Sequence, residues 1–354
     1  MRALCSCALR AGMAVQIAAI AAHGVRAAPA GGQTVTCGSC HNKEAQSQPK
    51  TAMGVGIEVS PNQELLRQHP RLTMDANGYH YEITYKNGAS TYTVTDGAGA
   101  LSLPIRYAFG VHNQTFVLEY QGRFYESLAT YYSSTGALGI TVGDDKIRPR
   151  NLTEAMGRET GNEEITACFN CHGTGGVHGE KLKLDALQPG LNCEHCHTGA
   201  DTHMRAMSGG RQTPVPRKLG EMAAEEMANF CGECHRTWAS VVGQHLFGKI
   251  DVRFQPYRLA SSRCFLGDDK RIRCTACHDP HTDLIREDST YDRVCLSCHD
   301  GKAVTSAGMT PKICPTAGKQ CVSCHMPKVQ LPGSPEFFTD HEIRIAHPGD
   351  PYPD

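Results

Sequence analysis

The stretch NEEITACFNCHGTGGVHGEKLKLDALQPGLNCEHCHTGADTH, residues 162–203, holds the pattern on which the whole chain is built. It contains Cys-x-x-Cys-His twice, as Cys168, Cys171 and His172 and again as Cys193, Cys196 and His197. Reading outward, the pattern recurs toward the N-terminus as Cys37, Cys40 and His41. Toward the C-terminus it recurs as Cys231, Cys234 and His235, and as Cys274, Cys277 and His278. It appears again as Cys295, Cys298 and His299, and finally as Cys321, Cys324 and His325, which makes seven copies.

Cys-x-x-Cys-His is the attachment signal for c-type haem. The two thiols add to two vinyl groups on one edge of the porphyrin, so they must lie about one helical turn apart. The adjoining histidine then binds the iron as proximal ligand. Zinc ribbons and thioredoxin-like redox pairs also use Cys-x-x-Cys. Neither requires a histidine directly after the second cysteine in seven of seven cases. The cofactor to expect is therefore haem c, seven copies, covalently attached.

The N-terminus agrees. Arg2 and Arg10 give a positive start, an apolar stretch from Ala11 to Ala22 is too short to span a bilayer, and Ala28-Pro29-Ala30 has the small-x-small form of a cleavage site. Residues 1–30 are expected to be a removed signal peptide, which makes the protein periplasmic or otherwise exported. The formal charge is −1, or −4 once Arg2, Arg10 and Arg26 leave with the leader, which gives no basic surface for nucleic acid. Only 6% of residues are aromatic, with Trp238 the single tryptophan, so side chains alone cannot supply a core around each motif; the haems must.

Motif spacing divides the chain. The first motif stands alone, separated from the second by residues 42–167, whereas six crowd into residues 168–325. The expected organisation is a signal peptide over 1–30, a single-haem region with a β-sheet insertion over 31–165, and a six-haem domain over 166–354. Tyr81, Ile83 and Tyr85 alternate with polar residues, Asn87-Gly88 turns the chain, and Tyr92 and Val94 continue beyond it. Phe116, Leu118 and Tyr120 with Gln121-Gly122 form a second such signal, so residues 70–135 are expected to form a small antiparallel sheet. Asn151 and Glu154 read as a helix start, and Leu219, Met222, Ala223, Met227 and Phe230 as one helical face. The expected fold is a multihaem cytochrome c: mainly short α-helices and irregular structure wrapped round stacked haems, with a small antiparallel β insertion in the N-terminal half.

A second histidine on each iron would close it for electron transfer, and a missing one would leave it open to substrate. Of 18 histidines, seven are proximal, His23 is in the leader and His195 lies inside its own motif, which leaves nine. His112, His178, His203, His245, His281 and His341 are candidate distal ligands. His69 and His80 compete for the first haem, and His347 lies in the tail. Cys264 and Cys314 fall outside the motifs and are expected to pair as a disulfide in an oxidising compartment.

Longer strings go beyond the motif. LQPGLNCEHCHTGADTH, RFQPYRLASSRCF, CTACHDPH, CVSCHMPK, FTDHEIRIAH and GVHNQTF resemble a family of exported multihaem c-type cytochromes. That family is related to the tetrahaem electron carrier of ammonia oxidation and to hydroxylamine-oxidoreductase-like proteins. The resemblance implies closely stacked haems, mostly with two histidine ligands, and supports His203, His281 and His341 as distal ligands. Gly-Pro commonly follows the motif at the position held here by Thr198-Gly199. The function to expect is electron transfer along stacked haems. The alternative is an oxidoreductase acting on a small nitrogen or sulfur compound at one open iron, with the remote first haem as the open site. Partners are redox proteins, either other cytochromes or a quinol-oxidising complex, with peripheral association with a membrane.

Overall fold

Residues 57–159 carry no attachment motif, yet they hold most of the strands. The computed structural model describes residues 36–209, 215–299, 314 and 319–353; the expected signal peptide lies outside them. The segment folds into ten strands. The first five are β1 (Ile57–Val59), β2 (Arg71–Ala76), β3 (Tyr79–Lys86), β4 (Ala89–Thr95) and β5 (Ala100–Pro104). The others are β6 (Tyr107–Phe109), β7 (Asn113–Tyr120), β8 (Arg123–Tyr132), β9 (Ala137–Ile140) and β10 (Gly157–Glu159). Strands β2 to β5 form a four-stranded meander, and β1-β6-β7-β8-β10 with β9 on β8 form a six-stranded sheet.

Period-two alternation explains how the sheets meet. Tyr81 and Ile83 of β3 pair with Val94 and Tyr92 of β4, and all four are buried. Phe116, Leu118 and Leu128 from the six-stranded sheet join them in one cluster, so the sheets pack face to face as a sandwich. Each such side chain contributes about 1.5–3 kcal/mol on burial. The turns are those the sequence signals: Asn87 and Gly88 take φ of 54° and 80°, and Gln121 and Gly122 take 51° and 74°. Two successive positive φ values match the twist of a two-residue hairpin loop.

This sandwich corrects the expected fold class. The chain is not mainly short helices and irregular structure with a small β insertion, because two antiparallel sheets extend well beyond residues 70–135. The flanking strands were illegible for a physical reason. Strands β1, β6 and β10 have three residues each, too few to display a period. They become strands only through their pairing: β1 with β6 and β10 with β8 across long stretches of chain, and β6 also with neighbouring β7.

The helices are short, and several carry the motifs. Helix α1 (Asn162–His172) ends in the second motif and α2 (Ala224–His235) in the fourth. Asn151 caps the preceding helix Leu152–Met156 as expected, accepting from the Glu154 amide at 2.9 Å. The helical face expected from Leu219 is broken: a 3-10 turn over Leu219–Glu221 ends at extended Met222, and α2 starts after it. Thr36–Asp354 form one compact unit. Among the described residues no helix is long and apolar enough to cross a membrane.

Candidate haem-attachment sites

All seven motifs lie on a helical turn. The cysteine pairs fall within Cys37–Ser39 and its cap, α1, Cys193–Cys196, α2, Cys274–Cys277, Asp292–His299 and Cys321–His325. A three-residue offset on a helix puts both thiols on one face, as attachment to one porphyrin edge needs. The following histidine is held by the same turn: His197 N donates to Cys193 O at 2.8 Å and His278 N to Cys274 O at 2.9 Å.

Several imidazoles are aimed by their second nitrogen. His172 Nδ1 donates to the Gly56 carbonyl at 2.9 Å, and His325 Nδ1 to the Arg344 carbonyl at 2.8 Å. A carbonyl only accepts, so Nδ1 carries the proton and Nε2 keeps its lone pair for a metal. Gly56 is required there: its φ is +35°, and a Cβ would come within 2.9 Å of the His172 carbonyl. Phe109 stands edge-on to the His172 ring at 5.2 Å, and Phe169 of α1 packs on Tyr107 and Phe109, so β6 braces the second motif.

Two expected distal ligands face proximal ones. The rings of His197 and His281 have centroids 6.1 Å apart and planes 7° apart. Those of His278 and His341 are 6.3 Å and 41° apart. Two imidazoles bound on opposite sides of one iron, each by a bond of about 2 Å, have centroids about 6 Å apart. His281 Nδ1 is held by Asp279 Oδ1 at 3.0 Å and His341 Nδ1 by Thr339 O at 2.9 Å, which again leaves Nε2 available. Burial pushes the His341 pKa down to about 4, which keeps its ring neutral, the form that ligation would need. Burial also lowers the pKa of His172, His235 and His278.

The motifs form a connected series. Cys37 lies beside Cys193, Cys171 beside Cys234, Cys231 beside Cys274, and Cys295 beside Cys321, each member of a pair close enough to perturb the other's ionisation. Cys196 lies within electrostatic reach of Cys231 and Cys234, and Cys277 within reach of Cys295. The first motif is therefore not remote, as its sequence position suggested. Cys37 Sγ also lies 3.5 Å from Met204 Sδ, on the helix Ala200–Ser208 that carries His203. The two segments pass closely: Leu191 N donates to Met53 O at 2.9 Å, the Gln48 side chain donates through Nε2 to Leu191 O at 2.6 Å, and a Cβ on Gly190, at φ +75°, would collide with the Gly54 carbonyl.

Other expected ligands are placed differently. His69 Nε2 meets the Tyr131 hydroxyl at 3.1 Å, and His80 Nδ1 lies 2.8 Å from Asp75 on β2. His112, His178 and His245 are exposed. Cys264 is a free thiol whose pKa is raised by burial, contrary to the expected bridge to Cys314. Sequence reading missed Gly56, Asp279 and the Arg344 carbonyl. Only Asp279 had a local signal, an Asp-Pro turn between His278 and His281.

The donor sets fit a covalently attached haem. Each cysteine pair shares its helical turn with a histidine, the donor set that attachment and ligation of one haem would use. Arg253 and Arg273 each bury an Nε that lacks a hydrogen-bond partner. Arg273 Nη1 is taken by the Met222 carbonyl at 2.8 Å, so it is the free Nε of each side chain that could meet a carboxylate such as a haem propionate.

Residues 143–198 match a family model described as cytochrome c554 and c-prime. No curated protein and no solved structure matches the chain. The matched segment includes the second and third motifs, and the match supports a c-type cytochrome with covalently bound haem c and a role in electron transport.

Proposed function

We propose that this protein is an exported heptahaem cytochrome that carries electrons between redox proteins. The observation that carries the reading is the connected series of motifs, together with two proximal histidines that each face a second imidazole. Bound haem supplies a reversible one-electron iron couple whose potential the protein sets through ligands, burial and hydrogen bonds. The cysteine pairs tether it, and the proximal histidines ligate it through Nε2. His281 and His341 serve as second ligands at the sites of His197 and His278. We assign His203 to the first site, because its helix brings Met204 onto Cys37. Arg253 and Arg273 take propionate carboxylates.

Two imidazoles on one iron leave no position for substrate, which favours a carrier over an enzyme. In this reading the chain is related to the tetrahaem carrier of ammonia oxidation and to hydroxylamine-oxidoreductase-like proteins. The leader-like residues 1–30 direct export, and the donor and acceptor are other cytochromes or a quinol-oxidising complex. Intact mass after denaturation should equal the processed chain plus seven haems, and the oxidised protein should show predominantly low-spin resonances. Fewer haems from a competent host would overturn the count. Multiple turnovers with nitrite or hydroxylamine at about 1 per second or faster would favour the enzyme.

A further inference from the structure

We propose that Arg258 is the positioning residue for the segment 339–344 and thereby couples two attachment sites, those of His278 and His325. The inference rests on the ligation reading above, in which His341 is the second ligand at the His278 site. Arg258 lies on the helix Gln255–Ala260 and is only 2% exposed. Its Nε and Nη2 donate to the two oxygens of Asp340 at 2.9 and 3.1 Å, and Nη2 also donates to Glu342 at 2.6 Å. Asp340 and Glu342 flank His341 on either side, so one guanidinium pins both neighbours of the ligand.

The backbone between them is fixed as well. Ser262 Oγ donates to the His341 carbonyl at 3.2 Å and accepts from the Ile343 amide at 2.8 Å. Arg344, at the end of the segment, donates to Asp340 at 2.6 Å and presents the carbonyl that holds His325 Nδ1. The same anchored segment thus aims a second ligand at one site and orients the proximal ligand of another.

A plainer role would be to close the C-terminal tail, since Arg258 also stacks on Tyr352 at 4.6 Å and donates to the Pro353 carbonyl. Chemistry decides between them. Burying charge is a poor way to gain stability alone, because well-packed apolar residues commonly do as well or better. A guanidinium gives fixed, two-pronged geometry on a carboxylate, which an ammonium cannot reproduce. That geometry is spent on the two residues beside His341.

The test uses the full-length, haem-loaded protein and its Arg258→Lys, Ser262→Ala and His341→Ala variants. Spin state is read by electron paramagnetic resonance and midpoints by reductive titration. His341→Ala should convert one haem to high spin. Arg258→Lys should give a high-spin fraction at that haem and also shift a second midpoint, that of the His325 site. Should Arg258→Lys lose haem, Ser262→Ala, which removes a hydroxyl and no charge, carries the test and should give the same two-site signature. If His341→Ala changes nothing, the ligation reading falls and takes the inference with it. If His341→Ala converts one haem while Arg258→Lys and Ser262→Ala match the wild type, ligation stands and the positioning role is overturned.

Discussion

The sandwich of residues 57–159 and the motif-bearing region beyond it solve the burial problem in opposite ways. In the sandwich, Tyr81, Ile83, Tyr92, Val94, Phe116, Leu118 and Leu128 are all at most 1% exposed and pack on one another. Beyond it, Ile165 and Phe169 pack back onto Tyr107 and Phe109, and among the described residues the apolar cluster that lies wholly in this region is small: Val241, Phe254 and Tyr257 with Val242 and Leu246 against them. What replaces a side-chain core there is a set of thiols, imidazoles and unpaired guanidinium nitrogens arranged around the attachment turns. One region is complete in its own amino acids, whereas the other is organised for a group it must acquire.

The sharpest way to break this comparison is to withhold the cofactor. Protein made without haem attachment, or with the motif cysteines replaced by serine, should lose ordered structure after residue 160 while the sandwich persists. Limited proteolysis with mass spectrometry should then leave a resistant fragment spanning about residues 57–159, the extent of a self-sufficient core. Equal sensitivity of both regions would show that the sandwich also depends on haem.

A smaller effect probes the sandwich alone. Phe116→Ala should cost about 3–5 kcal/mol through lost burial and a residual cavity. Denaturant unfolding followed by tyrosine fluorescence should record the loss, with the haem absorption of the folded protein unchanged. A haem spectrum altered under native conditions would mean that the two regions share one cooperative core.

The smallest effect concerns pH. Asp144 is buried, and burial raises its pKa from 3.8 to about 6, with Glu126 adding and Arg158 opposing. The folded state therefore holds this proton to higher pH than the unfolded chain does. Stability falls as pH rises from about 4 through about 6, and the cost above that range is on the order of 3 kcal/mol. Asp144→Asn should flatten that slope and make the sandwich more stable at pH 7. An unchanged pH profile would show that Arg158, 3.8 Å away, already neutralises the carboxylate in full.

Much of the candidate site was legible because its chemistry is local. Cys-x-x-Cys-His folds as one helical turn wherever it occurs, and the turn itself sets the thiols and the histidine. His281 was legible for a related reason: Asp279 sits two residues away and holds its ring. The sandwich was half legible, since long alternating strands with Asn87-Gly88 and Gln121-Gly122 turns announce themselves, whereas three-residue strands do not. The surroundings of the expected distal ligands were the least legible. His69 and His80 looked suited to the first motif by position, but the chain carries both into the sandwich, at Tyr131 and on β3.

The sequence by itself determined how many attachment turns the chain carries and where they lie, because a covalent tether needs only neighbouring residues. The tertiary structure decided which turns are neighbours and which histidine faces which. Cys37 meets Cys193, and His278 meets His341, across long stretches of chain. Such meetings depend on contacts no local pattern encodes: the close passage of Gly54 past Gly190, and the grip of buried Arg258 on Asp340. Short-range covalent geometry is written into a pentapeptide, while long-range pairing is a property of the packed whole.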